Sequence, residues 1–209
     1  IDVIHFCGIT LSMNENVRGQ MKTLAREVKA NGGTVVFDCN YRPSLWGADG
    51  YAFAKPHYEE MLSLADIVFM NEKDALYILG METKREDRAE QLGELIPKVA
   101  ETYGISALSG THRHINGDNT HSLKGYLYKD GAFHFSRTLT FSVYDRIGAG
   151  DAYASGVIHG LLQEYDPAQT VEFAAAAAML AHTVPGDTPT AGELDILRAM
   201  GDHRSDVER

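Results

Sequence analysis

The chain has 209 residues, of which 44% are hydrophobic and 23% charged, shares that are ordinary for a globular protein. They exclude a disordered chain, a collagen-like repeat and a disulfide-stapled miniprotein. The net charge of −10 disfavours general binding to nucleic acid or to a membrane surface, because both carry negative charge. No apolar run approaches the roughly 20 residues of a membrane span. The two cysteines, Cys7 and Cys39, fit a reducing compartment, so we expect a cytoplasmic globular protein.

The first half of the chain alternates short apolar strands with amphipathic helices. The predicted strands are 1–6, 34–37, 67–70 and 105–108, and the predicted helices are 14–30, 58–65, 73–79 and 85–103. An S-x-x-E capping box at Ser12 is predicted to open the first helix. This alternation is typical of βαβ units and a parallel sheet.

The second half begins with a polar stretch, 111–122, which predicts an exposed loop. Asp130-Gly131 then predicts a type I′ hairpin between strands 124–129 and 132–136. The last third is predicted to be helical over 150–164, 167–182 and 191–200. We therefore predict one α/β domain over residues 1–200 and a frayed polar tail over 201–209.

The strongest local motif is Gly148-Ala149-Gly150-Asp151, directly before an amphipathic helical pattern. Glycines let the backbone turn tightly and let an anion approach N–H groups that have no partner within the helix. The positive end of the helix dipole adds to this attraction. Asp151 can then accept the proton of a substrate hydroxyl while the N–H groups stabilise a moving phosphoryl group. Plain helix capping is the alternative interpretation.

A second motif follows the predicted strand 34–37, at the end where open α/β sheets bind ligands. Asp38, Asn40 and Arg42 alternate, and we expect an extended chain to place them on one side. Arg42 precedes Pro43, which favours an extended backbone, and its guanidinium suits a carboxylate or a phosphate. A strand-end ion pair between Asp38 and Arg42 is the alternative. Trp46 is expected in the core rather than in a base-stacking platform.

A third motif, Asn71-Glu72-Lys73-Asp74, follows the predicted strand 67–70. A carboxylate at this point can hold a hydrated Mg²⁺ that bridges nucleotide phosphates, and an ordinary helix N-cap is the alternative. Three histidines of the polar stretch match no spacing of metal ligands, and we expect them in a mobile loop: His112, His114 and His121.

In this order, the three motifs resemble those of the ribokinase-like (PfkB) carbohydrate kinase family. Residues 145–151 resemble its D-T-x-G-A-G-D signature, and residues 71–74 resemble its N-x-x-E motif. Residues 38–46 are similar to the D-x-N-x-R-x-x-L-W segment of the 2-keto-3-deoxygluconate kinase and fructokinase branch. The resemblance spans residues 1 to about 199. It implies a three-layer α/β fold with a mostly parallel central sheet, and ATP-dependent phosphorylation of a hydroxyl of 2-keto-3-deoxygluconate. Fructose, or another hexose or sugar acid, is the alternative substrate.

The resemblance also implies roles for individual residues. Asp151 would be the general base, with an anion hole at Gly148, Ala149 and Gly150. Substrate contacts are implied at Arg42, Asp151 and Asp187. Nucleotide contacts are implied at Asn40, Tyr41, Arg42, Asn71, Asp74, Ser109, Gly110, Arg113, Gly148 and Gly150. Asp74 would support Mg²⁺, and the implied cofactors are ATP and Mg²⁺, with a monovalent cation as a further candidate. The implied partners are a small sugar or sugar acid and, in the full-length form, further copies in a homo-oligomer.

Three departures from the family pattern affect these expectations. Arg146 stands where the signature has Thr, and Asp74 stands where it has the longer Glu. The family's N-terminal segment, which supplies the first strands and a lid over the sugar, has no counterpart here. We therefore expect an open sheet edge with apolar side chains and Asp151 at an open cleft, and an inactive fragment of the fold is the rival interpretation. A dinucleotide-binding dehydrogenase is disfavoured, since no G-x-G-x-x-G opens a helix after a strand.

Overall fold

The computed structural model describes residues 1–48 and 50–201. The strands are β1 (Val3–Cys7), β2 (Thr34–Asp38), β3 (Ile67–Phe69), β4 (Ala107–Ile115), β5 (His121–Lys129), β6 (Ala132–Phe135) and β7 (Leu139–Phe141). The α-helices are α1 (Gly8–Leu11), α2 (Glu15–Ala30), α3 (Gly50–Leu64), α4 (Glu72–Tyr77), α5 (Arg88–Tyr103), α6 (Ala149–Leu162), α7 (Pro167–Ala181) and α8 (Glu193–Met200). Within this part of the chain, no helix has the length and apolar character that a bilayer crossing requires.

The strands form a mixed, mostly parallel sheet, which confirms the predicted α/β class. Their order is β1-β2-β3-β4-β5-β6, and β7 pairs with β5. β1 to β4 are parallel, while β7 is antiparallel to β5. The middle of β2 is fully buried, as expected for a parallel strand that is covered on both faces. β1 stands at the end of the strand order, and its sequence VIHFC gives that edge mostly apolar side chains.

The chain divides into two compact units. The first comprises Ile1–Ser109 and Tyr128–Ala132, and the second comprises Gly110–Leu127 and, among the described residues, 133–201. That residues 1–200 act as one kinase domain stays a prediction. The tail predicted for 201–209 lies, beyond Gly201, outside the described residues.

Close backbone contacts fix the strand ends of the first unit. A Cβ atom at Gly8 would lie 1.9 Å from the carbonyl oxygen of Cys39, so only glycine fits at the end of β1. The same carbonyl accepts a hydrogen bond of 2.7 Å from the hydroxyl of the fully buried Tyr58. These contacts hold the segment that follows β2 against α3.

Helices α6 and α7 of the second unit pack at very short range. A Cβ atom at Gly156 would lie 2.7 Å from the Cα of Ala174, and one at Gly160 would lie 2.8 Å from Cγ2 of Thr170. Most of the alanine run of α7 is buried as well. Small residues on both helices therefore fix the position of α6, whose first turn carries Asp151.

The polar stretch 111–122 is not the predicted loop. β4 continues to Ile115 and β5 begins at His121, with a turn closed by the Asn116 N–H, which donates to the Thr120 carbonyl at 2.8 Å. The loop prediction for His112, His114 and His121 is therefore wrong. The prediction relied on polar composition, but strands that face solvent carry polar side chains and keep their backbone pairing.

Two helix starts also differ from the prediction. The Asn14 side chain, rather than Ser12, caps α2, accepting a hydrogen bond from the Val17 N–H at 2.9 Å. Ser12 instead ends α1, where its hydroxyl donates to the Ile9 carbonyl. α3 begins at Gly50, earlier than the predicted start at residue 58, and it contains Pro56.

Candidate active site

The start of α6 has the geometry of an anion-binding turn. Gly148 is the N-cap in the left-handed region, with φ of 73°, and it provides no capping side chain. Beyond its chain neighbours and the backbone of α6 itself, no heavy atom of the described residues lies within 4 Å of the place where Gly150 would carry a Cβ atom, so that side of the turn is open. Asp151 lies in the first turn and is exposed. The structure thus brings the predicted anion hole and the predicted base together.

Asp187 lies directly against this turn. A Cβ atom at Gly148 would lie 2.9 Å from both the Cα and the carbonyl oxygen of Asp187. The Asp145 carboxylate holds the two segments together, because it accepts hydrogen bonds from the N–H groups of Gly186 (2.8 Å), Arg146 (2.6 Å) and Ile147 (3.2 Å). These N–H donors, Gly186 above all, lower the pKa of Asp145. Asp145, the first residue of the signature, therefore holds the turn in place, and no chemical role is assigned to it.

In the first unit, the segment after β2 turns where an extended chain was predicted. Asn40 has φ of 31°, in the left-handed region, and its N–H donates to the Asp38 carboxylate at 3.0 Å. The Asn40 amide contacts the Cys7 sulfur at 3.4 Å. The predicted one-sided alternation of Asp38, Asn40 and Arg42 is therefore wrong. An asparagine tolerates this conformation because its short side chain bonds locally.

Tyr41 and Arg42 follow this turn. The Tyr41 ring stacks on Tyr51 at 4.9 Å between centroids, and burial raises the pKa of its hydroxyl. Trp46 is 6% exposed, which confirms its predicted place in the core. Arg42 is exposed and extended before Pro43, with φ of −126° and ψ of 102°, as predicted. Its guanidinium donates a hydrogen bond of 3.4 Å to the Tyr41 carbonyl and is otherwise open to solvent.

Asn71 and Asp74 form a capping box at the start of α4. The Asp74 Oδ2 atom accepts from the Asn71 N–H at 2.8 Å, and the Asn71 Oδ1 atom accepts from the Lys73 N–H at 2.9 Å. Burial raises the pKa of Asp74 to about 6, while the hydrogen bond from the Asn71 N–H and, to a smaller extent, the charge of Arg42 lower it. The capping interpretation of this motif therefore holds.

Glu72 is a residue of this motif that the sequence reasoning passed over. Its carboxylate is fully buried and accepts a hydrogen bond of 2.6 Å from Nε of Arg88, at the start of α5. The pair ties α4 to α5 and so fixes the helix that carries Asp74. The burial of one acidic residue among three polar neighbours leaves no signal in a single sequence.

Ser109, Gly110 and Arg113 lie within β4 and not in a loop after it. Ser109 is fully buried, while Arg113 is half-buried. Burial lowers the pKa of Arg113, and the charge of Arg146 lowers it further. In the sequence, this second positive charge appears as Arg146, which stands where the signature has Thr.

The groups that the resemblance implies fit these residues. The open glycine turn at α6 leaves room for phosphate oxygens against backbone N–H groups. The Asp74 Oδ1 atom makes no hydrogen bond within the described residues, so one oxygen remains for Mg²⁺. No group of three or more His, Cys, Asp or Glu in the described chain could hold a metal ion. Mg²⁺ held here would therefore keep mostly water and phosphate ligands, as that ion does in kinases.

A sequence model of the pfkB family carbohydrate kinases matches residues 1–191. The chain belongs to this family. Among pfkB relatives, the 2-dehydro-3-deoxygluconokinase of Dickeya dadantii is 39% identical over 80 residues, which are 38% of this chain and 25% of that protein.

Two solved structures are similar over almost the whole chain. One, from Enterococcus faecalis and provisionally named a 2-keto-3-deoxygluconate kinase, has a TM-score of 0.91 and 35% identity, covering 100% of this chain and 62% of that one. The other, the 2-dehydro-3-deoxygluconokinase of Thermotoga maritima, has a TM-score of 0.88 and 28% identity, covering 95% and 59%. The chain thus spans about three fifths of the length of these pfkB structures.

Proposed function

We propose that the protein is a sugar kinase that transfers the γ-phosphate of ATP to a hydroxyl of 2-keto-3-deoxygluconate. Membership of the pfkB family supports the reaction class. The names of the relatives from Dickeya dadantii and Thermotoga maritima support the sugar acid. The single observation that carries the proposal is the turn before α6, where an open glycine cradle and an exposed carboxylate lie side by side.

The second unit supplies the groups for the chemical step in this proposal. Asp151 accepts the proton of the attacking hydroxyl. The N–H groups at Gly148, Ala149 and Gly150 stabilise negative charge on the moving phosphoryl group, because helix starts present unpaired donors. Asp187 contacts the substrate from beside Gly148. Gly110 and Arg113 contribute to nucleotide binding.

The first unit supplies binding groups. Arg42 contacts the carboxylate of the sugar acid or a phosphate, since its planar guanidinium suits both. Nucleotide contacts are proposed at Asn40, Tyr41, Asn71, Asp74 and Ser109. The Oδ1 atom of Asp74, which has no hydrogen-bond partner among the described residues, supports hydrated Mg²⁺. Mg²⁺ supplies charge neutralisation between the nucleotide phosphates when it is bound. Binding of a monovalent cation stays a prediction. No site is assigned to it, because the Asp145 carboxylate already accepts hydrogen bonds from three N–H groups.

A coupled assay of ADP release tests the function on the whole protein. We expect turnover with 2-keto-3-deoxygluconate, Mg²⁺ and ATP, and little turnover with fructose. Turnover with fructose alone would move the proposal to the fructokinase alternative. If no sugar or sugar acid increased ADP release above its rate without sugar, the interpretation as an inactive form of the fold would stand.

The assembly and location of the whole protein also remain proposals. We expect a homo-oligomer in the full-length form, measured by light scattering after size-exclusion chromatography. Binding to nucleic acid or to anionic vesicles is not expected at a net charge of −10. The cytoplasmic location stays a prediction.

A further inference from the structure

A histidine of α3 packs against the turn that begins at Arg42, within the first unit. The Arg42 carbonyl oxygen accepts a hydrogen bond of 3.0 Å from the Leu45 N–H, and the Trp46 N–H donates to the Pro43 carbonyl at 3.2 Å. The Trp46 ring, which is 6% exposed, stacks on the imidazole of His57 with 6.1 Å between centroids and 23° between planes. The position of Arg42 is therefore linked to His57 through the ring that closes the turn.

Trp46 is enclosed by further side chains from α2 and α3. Arg18 of α2 is 9% exposed, and its guanidinium lies 6.0 Å from the centroid of Trp46 and 5.3 Å from that of Phe53. The Phe53 ring meets the His57 ring edge to face at 5.4 Å. On the other side, the Tyr41 ring is nearly parallel to Trp46, at 6.4 Å and 12°. A shift of His57 therefore reaches, through Trp46, the residue directly before Arg42.

Lys22 of α2 holds the His57 ring in its neutral form. Its Nζ atom lies 3.1 Å from Nδ1 of His57. An ammonium group has only donors, so Nδ1 accepts this hydrogen bond and the proton of the neutral ring is on Nε2. The Lys22 side chain is 13% exposed, and its Nζ atom also bonds Glu60 at 2.5 Å, which fixes it in place. A proton on Nδ1 of His57 would set two donors against each other, and the contact would be lost.

The charges around His57 oppose its protonation. Burial lowers the pKa of His57 most, and the charges of Lys22 and Arg18 lower it further. Glu60 and Glu15 raise it to a smaller extent, and Glu60 is already paired with Lys22. Within the described chain, these four side chains of α2 and α3 are the charged groups that act on His57. The neutral ring is therefore the form that the folded chain favours near neutral pH.

We propose that His57 is a positioning residue for Arg42: the neutral ring holds Trp46 and the turn in place, and the protonated ring releases Lys22 and loosens the turn. An imidazolium is attracted by an indole ring, but Arg18 already lies close to that ring, and the repulsion from Lys22 acts at hydrogen-bond distance. Because Arg42 is a sugar-acid contact only in the proposed function, the effect on substrate rests on that function. Binding of the sugar acid should then weaken as the pH falls.

The fluorescence of Trp46 tests the contact, since this is the only tryptophan of the chain. The 209-residue chain is titrated from pH 8 to pH 5, with excitation at a wavelength that tyrosine does not absorb. A protonated imidazole quenches a neighbouring indole more strongly than a neutral one. We expect one step with a midpoint below 6.5, at which emission weakens and shifts to longer wavelength as Trp46 becomes more exposed. Weaker emission without the shift, or a loss of helical circular dichroism at the same midpoint, would overturn the positioning role.

Two variants of His57 assign the step to its ring. His57→Phe keeps a ring against Trp46 but cannot take up a proton, so the step should disappear. His57→Asn keeps an acceptor near the place of Nδ1 and cannot take up a proton either, so the step should be absent there as well. A step that persists in either variant would overturn the assignment.

Two variants of α2 test the role of Lys22. Lys22→Gln removes the charge that opposes protonation, so the midpoint should rise toward 6.5. Arg26→Gln is the matched control, since Arg26 is one turn further along α2 and pairs with the same Glu60, but is not among the charges that act on His57 in the described chain. Its midpoint should equal that of the unmodified chain. Equal shifts in the two variants would overturn the role of the Lys22 contact.

Kinetics of the whole protein test the effect on Arg42. The carboxylate of 2-keto-3-deoxygluconate stays ionised between pH 7.5 and pH 5.5, so a change in KM reports the protein. We expect KM for this sugar acid to rise several-fold at pH 5.5, with a smaller change in kcat, and to rise less in His57→Asn. The same pH dependence of KM in both proteins would overturn the link to Arg42. Absence of turnover with any sugar would instead contradict the proposed function, and the fluorescence step would still support the contact of His57 with Trp46.

Discussion

At the level of single residues, Asp151 carries the chemical step of the proposed function. Asp151→Asn keeps the size of the side chain and removes the proton acceptor, so kcat should fall by about 10²–10⁴ while ATP affinity changes little. Steady-state kinetics of the whole protein measure this. Asp166→Asn is the control, because Asp166 also stands at a helix start of the second unit, where it caps α7. Near-normal turnover in Asp151→Asn would remove this residue from the mechanism.

Arg42 tests the substrate class at the same scale. Arg42 is exposed, and its charge lowers the pKa of Asp74. Its guanidinium can bind either a sugar carboxylate or a nucleotide phosphate. Arg42→Lys keeps the charge but loses the planar pair of donors. We expect the fall in kcat/KM for 2-keto-3-deoxygluconate to correspond to roughly 1–3 kcal/mol of transition-state binding, the order of one charged hydrogen bond. The loss for fructose should be smaller. Equal losses on both sugars would instead assign Arg42 to the nucleotide.

At the level of elements, the two glycines of the α6 turn should respond in opposite ways to alanine. Gly148→Ala forces a side chain to a φ of 73° and against the backbone of Asp187, and should destabilise the fold by about 2 kcal/mol or more. Gly150→Ala meets open space within the helix and should stabilise the fold by about 0.5–1 kcal/mol. Urea unfolding measures both. An equally stable Gly148→Ala variant would contradict the close approach of Asp187.

The elements also show what the sequence could predict. α5 was predicted almost to its ends, because its apolar face repeats regularly and Gly104, with φ of 70°, stops it. The hairpin of β4 and β5 was missed, since its residues are polar on a surface that composition alone assigns to a loop. β7 has only three residues, too few to show a period. Regular burial is therefore predictable, whereas pairing between polar strands is not.

At the scale of the whole molecule, the candidate site was predictable where a motif follows a strand and not where distant segments meet. The glycine turn, Arg42 and Asp74 were found because each motif is local. The family resemblance implied a substrate contact at Asp187, but its close approach to Gly148 could not be predicted, because the two residues are far apart in sequence. The burial that sets the pKa of Asp74 is equally a property of the folded chain.

The pH dependence of stability combines two opposed groups of residues. The folded chain lowers the pKa of His57, His121 and His182 below the ordinary value of 6.5, so the unfolded chain binds more protons and stability is lost as the pH falls below about 6.5. Asp74 acts in the opposite sense. Its pKa rises from 3.8 to about 6, so its contribution is greatest below 3.8 and is lost as the pH rises through 6.

Asp74→Asn separates the two effects. Asparagine can still accept the Asn71 N–H, but it removes the buried charge, so the variant should be more stable than the unmodified chain by about 1–2 kcal/mol at pH 7. Between pH 7 and pH 5 it should lose stability more steeply, because only the histidines then titrate. Asp195→Asn is the matched control, since Asp195 makes the same capping contact at the start of α8 but is exposed, and its charge has no burial to relieve. Urea unfolding at pH 5, 6 and 7 measures all three proteins. A gain in Asp195→Asn equal to that in Asp74→Asn would show that loss of negative charge in general, and not burial of Asp74, sets the stability.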